Sequence, residues 1–534
     1  MTTPGQLTVQ TLTDIVRRDD IRGLWPEELS AEVAWRFGEA FAAGLCRSGA
    51  PAPVIVVGYD ARTGSPELAL ALARGVREAG GQVEWLGLAS TEHVYYMTGR
   101  HPERYAGGAM ITASHNPAEY NGIKFVFAGA RPLGASDLQG LRDYAAARLN
   151  PPTGADARSE FAAFALECTG VLRLPATAVA RWQVVVAAGH GVGAWAFAPL
   201  ARALESRGFR FTFLEPDPDG SFPGGVPNPL VPQFVRRLGR AVRAGGAQLG
   251  IGFDGDGDRA GFVDSGGREI TASQVLALVA EPKLAGAKAP ALLLRNLCCS
   301  QLLVDCYAAR PEVTLVDTPV GHGKVKLLLR HPAYRDGVVM AGEHSGHYYY
   351  PEFYHVDSGM LTALYMLKLL AEATLAGRRL ETRLSAWRQH YAWSGEINYR
   401  FASHADQERL LDTLAARYAT AGGTRYEVRP DPALGGLERV FANPAPYERT
   451  RLQSPDVKYA FPTDGGRSGW WFVVRPSGNE PQLRLNVESW GTASTSRTRT
   501  HVAALAALLE QAGGIRLGAA PKRPPAALPA PARP

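Results

Sequence analysis

Residues 53–78 read PVIVVGYDARTGSPELALALARGVRE, and the hydrophobic period changes once along them. Residues 53–57 form a short β-branched run closed by Gly58, the pattern of a buried strand. Ser65-Pro66-Glu67 then offers an N-cap, a first-turn proline and a carboxylate matched to the helix dipole, ahead of a helical run over 68–78. The same strand and helix rhythm continues through strands at 83–88 and 108–112. It returns with a strand at 183–187, a helix near 192–206, a strand at 209–214, a helix at 233–244 and a strand at 248–253. A third round holds 291–294, 300–308, 313–316, a helix after Gly321, 337–340 and a long helix from Gly359 to Leu375. Alternation of this kind predicts open, mostly parallel α/β sheets, here in three related domains of similar size.

The last stretch differs. Strands at 395–401, 469–474 and 483–488, with helices near 406–421 and 497–511, predict a smaller α+β domain. The expected boundaries are 1–155, 156–266, 267–388 and 389–514. Residues 515–534 are Ala/Pro-rich, cannot bury a core, and are expected to be a disordered tail.

The composition agrees with a multi-domain globular chain. It has 534 residues, 46% hydrophobic and 20% charged, which excludes a wholly disordered or coiled-coil protein. Lys and Arg number 57 against 51 Asp and Glu, a net charge of +6 that is not gathered into basic runs. That balance suits an anionic small molecule better than nucleic acid. The five cysteines include no C-x-x-C pair, so neither a disulfide framework nor a zinc site is supported. The polar residues 1–10 lack a signal-peptide pattern, and no apolar stretch is long enough to span a bilayer. A cytoplasmic protein without membrane or nucleic-acid partners is expected.

Four motifs carry chemistry. Thr112-Ala113-Ser114-His115-Asn116-Pro117 follows an apolar strand, which places Ser114 in a polar loop at the carboxyl edge of a sheet. A nucleophilic or phosphorylated serine fits there, with His115 and Lys124 as neighbours; a plain strand-to-turn connection fits the isolated segment as well. The serine lacks the G-x-S-x-G elbow of an α/β-hydrolase. Asp254-Gly255-Asp256-Gly257-Asp258-Arg259 alternates three carboxylates with glycines, and oxygen-only ligands of this kind suit Mg²⁺. It is not an EF-hand, because Arg259 stands where that loop needs glycine and Ser265 where it needs glutamate. Gly342-Glu343-His344-Ser345-Gly346-His347 offers hydrogen-bonding groups to a polyol, or forms a polar turn. Arg475-Pro476-Ser477-Gly478-Asn479-Glu480-Pro481 offers a guanidinium fork and further donors to a phosphate, or forms a tight turn with a surface arginine. Taken together, they suit a substrate held in a central cleft and contacted by every domain.

With these motifs the sequence resembles the α-D-phosphohexomutase superfamily, most closely its bacterial phosphomannomutase/phosphoglucomutase branch. The resemblance extends from Asp20-Ile21-Arg22-Gly23 to Glu480. It takes in Gly58-Tyr59-Asp60-Ala61-Arg62, Asn121-Gly122-Ile123-Lys124, residues 217–229 (DPDGSFPGGVPNP) and Val320-Gly321-His322. It implies four domains around a central cleft, three related α/β domains with mixed sheets and the smaller α+β domain. It implies that Ser114 is a phosphoserine, with Mg²⁺ held by Ser114, Asp254, Asp256 and Asp258. Arg22 and Lys124 are implied to lie beside the transferring phosphoryl group, Arg259 near the metal loop, and His322 and His347 at the cleft. Glu343 and Ser345 match sugar-hydroxyl binders; Arg475, Ser477, Gly478 and Asn479 match the loop for the non-reacting phosphate.

The implied reaction interconverts hexose 1-phosphate and hexose 6-phosphate through a hexose 1,6-bisphosphate, which is both intermediate and activator, with Lys124 or a histidine as general base. The phosphorylated hexose is the expected partner, for a monomer or homodimer. The chain departs from the family at Thr91-Glu92, where threonine-proline is common, at Gly189-His190-Gly191, at Asn479, and at residues 295–299, where no lysine is found. Other readings are a phosphoglucosamine mutase, a non-catalytic phosphosugar-binding protein, and a serine-dependent metallophosphatase. His344 argues against the first, since those enzymes usually carry glutamine there.

Overall fold

The structure, a computed structural model, describes residues 14–16, 20–144, 157–175, 179, 182–307, 309–418, 421–442, 456–477 and 481–517. It divides into two units, Met1–Trp387 with Pro430–Arg439 and Arg388–Arg429 with Val440–Pro534.

Among the described residues the first unit contains three sheets. One is built from β1 (Ile21–Leu24), β2 (Val54–Tyr59), β3 (Gln82–Leu88), β4 (Gly107–Ile111), β5 (Tyr120–Phe127) and β6 (Arg131–Pro132), in the order β1-β5-β4-β2-β3, with β6 on β5. The β-branched run at 53–57 becomes its central strand β2, parallel to both β3 and β4. Ile55 and Val57 pack with Phe37, Phe41, Leu68 and Leu72 of helices Ala31–Arg47 and Ser65–Glu78. Ser65 is not the N-cap of the second helix. Gly64 holds that position, and the Ser65 hydroxyl donates instead to buried Asp60 at 2.6 Å.

The second sheet has β7 (Trp182–Ala187), β8 (Phe209–Leu214), β9 (Leu249–Phe253), β10 (Ala260–Asp264) and β11 (Glu269–Ile270), ordered β11-β10-β9-β7-β8. The third has β12 (Ala291–Asn296), β13 (Val313–Thr318), β14 (Val338–Gly342), β15 (Tyr348–Tyr350) and β16 (Val356–Asp357), ordered β13-β12-β14-β15-β16.

All three sheets are mixed, not mostly parallel. Each sets three parallel strands side by side and then adds an antiparallel return strand: β5 on β4, β10 on β9 and β15 on β14. The three turns so formed contain residues 112–119, 254–259 and 343–347, the first three chemical motifs. An antiparallel neighbour needs only a short connection, whereas a parallel one needs a crossover. The motifs are therefore short loops pinned at both ends by adjacent strands. Among the described residues no single helix is long and apolar enough to cross a membrane.

The second unit is β-rich. β17 (Tyr391–Trp393), β18 (Ile397–Arg400), β19 (Thr424–Pro430), β20 (Glu438–Ala442), β21 (Val457–Thr463), β22 (Ser468–Pro476), β23 (Gln482–Trp490) and β24 (Ile515–Arg516) run in the order β20-β19-β21-β22-β23-β18-β24, with β17 on β23. Leu410, Leu414, Leu505 and Leu509 of helices His404–Tyr418 and Ser494–Gln511 cover Tyr399, Phe472, Leu485 and Val487. The tail prediction is corrected at its start. Ile515 and Arg516 pair with Arg400 and Tyr399, because an edge ladder needs backbone hydrogen bonds and no buried side chain. Residues 518–534 lie outside the described residues.

Candidate active site

The turn after β4 holds Ser114 in a left-handed conformation, φ +54°, which disfavours any residue with a Cβ. Two groups hold it there. Thr112 Oγ1 accepts the Ser114 N–H at 2.8 Å, and the Arg62 guanidinium donates to the carbonyls of Ser114, Asn116, Pro117 and Tyr120 at 2.7–2.9 Å. Arg22, from β1, donates to the Ala113 carbonyl at 2.9 Å and Asn116 Oδ1 at 2.6 Å while pairing with Asp20 at 2.8 Å. The Ser114 hydroxyl donates to Asp254 Oδ2 at 3.1 Å, lies 3.3 Å from His115 Nδ1, and accepts a 3.5 Å contact from Arg259. The sequence-predicted serine, acidic loop and both arginines of this region are thus brought together.

Asp254, Asp256 and Asp258 are fully buried, and one oxygen from each lies within 4.8 Å of the others. Arg259 donates to Asp254 at 2.8 Å, Thr91 to Asp256 at 2.7 Å, and Lys124 Nζ to Asp256 and Asp258 at 2.6 and 3.0 Å. Burial opposes charge on Lys124, but the two carboxylates outweigh it and raise its pKa well above the ordinary value. Burial pushes Asp254 up to about 7 despite Arg259. Asp256 Oδ1 and Asp258 Oδ1 are buried without a hydrogen-bond partner among the described residues. Orphaned carboxylate oxygens in an all-oxygen cluster fit a hard divalent cation such as Mg²⁺.

Gly255 is needed by close approach, since a Cβ there would stand 2.3 Å from the Ser114 carbonyl oxygen. Gly255→Ala is expected to part the serine and acidic loops and lower kcat about 100-fold, because small misplacements of reacting groups are costly. Steady-state kinetics on a variant with unchanged thermal midpoint checks this; a wild-type kcat would refute it.

Across from the acidic loop, His347 Nδ1 lies 2.7 Å from Asp357 and 3.7 Å from Asp258. Lys326 pairs with Asp357 at 2.7 Å, donates to Tyr95 at 3.0 Å and lies 3.4 Å from His322. The two histidine rings are 5.8 Å apart, centre to centre, yet their surroundings push their pKa values in opposite directions. Burial, then Lys326, lowers the His322 pKa well below its usual value; at His347 burial is outweighed by Asp258 and Asp357, which raise it. Glu343 is buried and accepts from Tyr349, Asn296 and the Gly321 N–H, while Ser345 is half-buried in the same turn.

Thr91, Arg62, Asp357, Lys326, Tyr95, Asn296 and Tyr349 were not singled out as site residues from sequence. The one visible signal was polar residues embedded in apolar runs or closing a strand, as at Asp60 and Asp357. Glu92, where the family commonly has proline, is fully buried; it accepts from the Ser358 hydroxyl and, at 3.3 Å, from the Met360 N–H. It thereby ties the start of helix Thr91–Arg100 to the start of helix Gly359–Leu375.

In the second unit, Arg475 of β22 stands directly opposite Arg484 of β23. Like charges in that register repel. Both reach Glu396, at 2.7 and 3.3 Å, and Arg484 also donates to the Ser477 hydroxyl at 3.3 Å. Arg484 and Glu396 are additions to the predicted phosphate loop. Gly478 and Asn479 lie outside the described residues.

Comparison with known proteins agrees with this layout. Residues 13–150, 164–267 and 271–390 match the phosphoglucomutase/phosphomannomutase α/β/α domains I, II and III respectively. A phosphohexose mutase of Xanthomonas campestris is 33% identical over 90% of this chain and 96% of its own. A phosphomannomutase of Salmonella typhimurium is 32% identical over 92% and 98%. A phosphoglucomutase/phosphomannomutase family protein of known structure from Burkholderia thailandensis shares the fold, with TM-score 0.73 and 24% identity over 96% of this chain and 99% of that one. Fold and relatives together define a phosphohexomutase, an isomerase that acts as an intramolecular phosphotransferase. The chain belongs to the phosphoglucomutase/phosphomannomutase family of the α-D-phosphohexomutase superfamily.

Proposed function

We propose that the enzyme interconverts the 1- and 6-phosphates of mannose and glucose in the cytoplasm, with phospho-Ser114 as phosphoryl carrier and a hexose 1,6-bisphosphate as intermediate. The observation that carries this reading is Ser114 Oγ, 3.1 Å from Asp254 and beside Arg259, at the edge of the three-carboxylate cluster. Asp254, Asp256 and Asp258, with the serine's oxygen, would hold Mg²⁺, which when bound offsets charge on the phosphoryl oxygens.

The remaining steps belong to the chain. Phospho-Ser114 gives its phosphoryl group to the unphosphorylated hydroxyl oxygen of the hexose monophosphate, the Ser114 Oγ–P bond breaking as the new O–P bond forms. The bisphosphate turns over, and its other phosphoryl group returns to Ser114. Arg22, Arg259 and Lys124 offset charge on the group in transfer. Lys124, 2.6 and 3.0 Å from Asp256 and Asp258, reaches the edge of the carboxylate cluster where the phosphoryl group would lie. His322, 3.4 Å from Lys326, is taken as the acceptor of the hydroxyl proton, and His347, 2.7 Å from Asp357, as the group that returns one. Glu343 and Ser345 take sugar hydroxyls, and Arg475, Ser477, Gly478 and Asn479 the non-reacting phosphate.

The test is a turnover assay with Mg²⁺, glucose 1,6-bisphosphate and, separately, mannose, glucose and glucosamine 1-phosphates. The 6-phosphates of mannose and glucose are the expected products, with activity abolished by chelation and restored by added Mg²⁺. Free phosphate as the sole product would replace the mutase reading with a phosphatase. Turnover of the glucosamine ester alone would reassign the sugar.

A further inference from the structure

Three donors surround the Glu343 carboxylate among the described residues: Tyr349 Oη on Oε1 at 2.5 Å, Asn296 Nδ2 on Oε2 at 2.8 Å, and the Gly321 N–H on Oε2 at 3.1 Å. A carboxylate offers about four acceptor directions. Oε2 is filled by two donors, and Oε1 keeps one direction. All three donors are neutral.

The amide is fixed at both edges. Asn296 is 1% exposed, at the end of β12, and its Oδ1 accepts the N–H groups of Cys298 at 3.2 Å and His344 at 3.5 Å. Its Nδ2 also lies 3.0 Å from His344 Nδ1. Rotating the amide by half a turn would set oxygen against the carboxylate and NH₂ against two main-chain donors, so the network permits one orientation. Tyr349 sits on β15, immediately beyond the turn. Burial, reinforced by Glu343, holds its phenol well above the ordinary pKa, which keeps it a donor.

We propose that Asn296 and Tyr349 are positioning residues that aim the Glu343 carboxylate and leave one Oε1 direction for a sugar hydroxyl, making this neutral pair a determinant of hexose recognition. The inference rests on the reading of Glu343 as a hydroxyl acceptor. It predicts an effect on substrate binding separate from phosphoryl transfer. Asn296→Asp keeps the size and the Oδ1 contacts but turns the donor into an oxygen facing a carboxylate. Tyr349→Phe removes one donor and keeps the ring.

The test measures KM and kcat for hexose 1-phosphate, and binding of deoxyfluoro hexose 1-phosphates that each lack one hydroxyl. Wild type is expected to bind one analogue about 10- to 100-fold more weakly than the parent ester. Asn296→Asp is expected to raise KM by a similar factor, with kcat within about threefold, and to lose that discrimination. Tyr349→Phe should do the same to a lesser degree, which keeps the test available should the aspartate variant not fold. Discrimination as strong as in wild type in either folded variant, or a lowered kcat at unchanged KM, would overturn the proposal. A wild type that binds every analogue alike would overturn the role of Glu343 itself, and the proposal with it.

Discussion

Ser114→Ala is expected to lower turnover of hexose phosphates by about 10³-fold or more while leaving their binding nearly intact. The substitution removes the one atom proposed to carry the phosphoryl group and little else. The left-handed backbone at Ser114 is held by its N–H on Thr112 and its carbonyl on Arg62, and alanine keeps both groups. Alanine and serine carry the same Cβ, so strain at the position does not change. Asp254 loses one donor but keeps Arg259. Coupled kinetics measures the rate, calorimetry with hexose 1-phosphate the binding, and mass spectrometry the transfer of phosphate from glucose 1,6-bisphosphate to the protein. Wild-type rates, or phosphate incorporation undiminished in the variant, would remove Ser114 from the reaction.

The second large effect is expected at a residue that touches no substrate in the proposed scheme. Arg62 is nearly fully buried, pairs with Asp60 at 3.3 Å and donates to three carbonyls of the loop that carries Ser114 and to the carbonyl of Tyr120 at the start of β5. Phe222 of the second sheet's domain covers it, with the ring centre 5.1 Å from the guanidinium carbon. Truncation would leave the buried Asp60 carboxylate without its cation, though still bonded by the Ser65 hydroxyl, and four carbonyls without their guanidinium donor. Arg62→Ala should therefore cost about 3–5 kcal/mol of stability, with a marked drop in kcat as the loop relaxes. Arg62→Lys should recover part of the stability and little of the rate, because one ammonium cannot span four acceptors in a fork. Chemical denaturation and kinetics on both variants decide it. An alanine variant as stable as wild type would show that the loop does not depend on the guanidinium.

Much of this layout was legible in the sequence because its elements announce themselves locally. The runs that became β2, β7 and β9 are apolar on both faces, and the motifs that follow strands fall at sheet edges. The return strands were harder. Of residues 120–127 only Asn121–Lys124 stand out, as a motif, since Asn121 and Lys124 interrupt the apolar pattern that a strand presents, and residues 260–264 carry no strand expectation of their own. Those interruptions have a tertiary cause: Lys124 points into the acidic cluster and Asn121 reaches Ser65 at 3.0 Å. The supporting shell was hidden for the same reason. Lys326 and Tyr95 meet although 231 positions separate them, and Asn296 meets Glu343 across 47. No local period or spacing records such a pairing. What the sequence presented was the set of candidate groups; what it withheld was the set of groups that hold them in place.

The repeated hairpin has a consequence for how such an enzyme changes over time. The serine loop, the acidic loop and the turn 343–347 each close between two neighbouring strands of a separate sheet. Each is therefore held by a ladder of its own even where the loops touch, as where the Ala260 N–H donates to the Gly346 carbonyl at 3.1 Å. A residue gained or lost in the turn 343–347 leaves the registers of β4 with β5 and of β9 with β10 untouched. On the proposed assignment of Glu343 and Ser345 to the sugar, preference for one hexose over another can thus drift through residues 343–345 alone, while His347 and the serine and acidic loops are inherited unchanged.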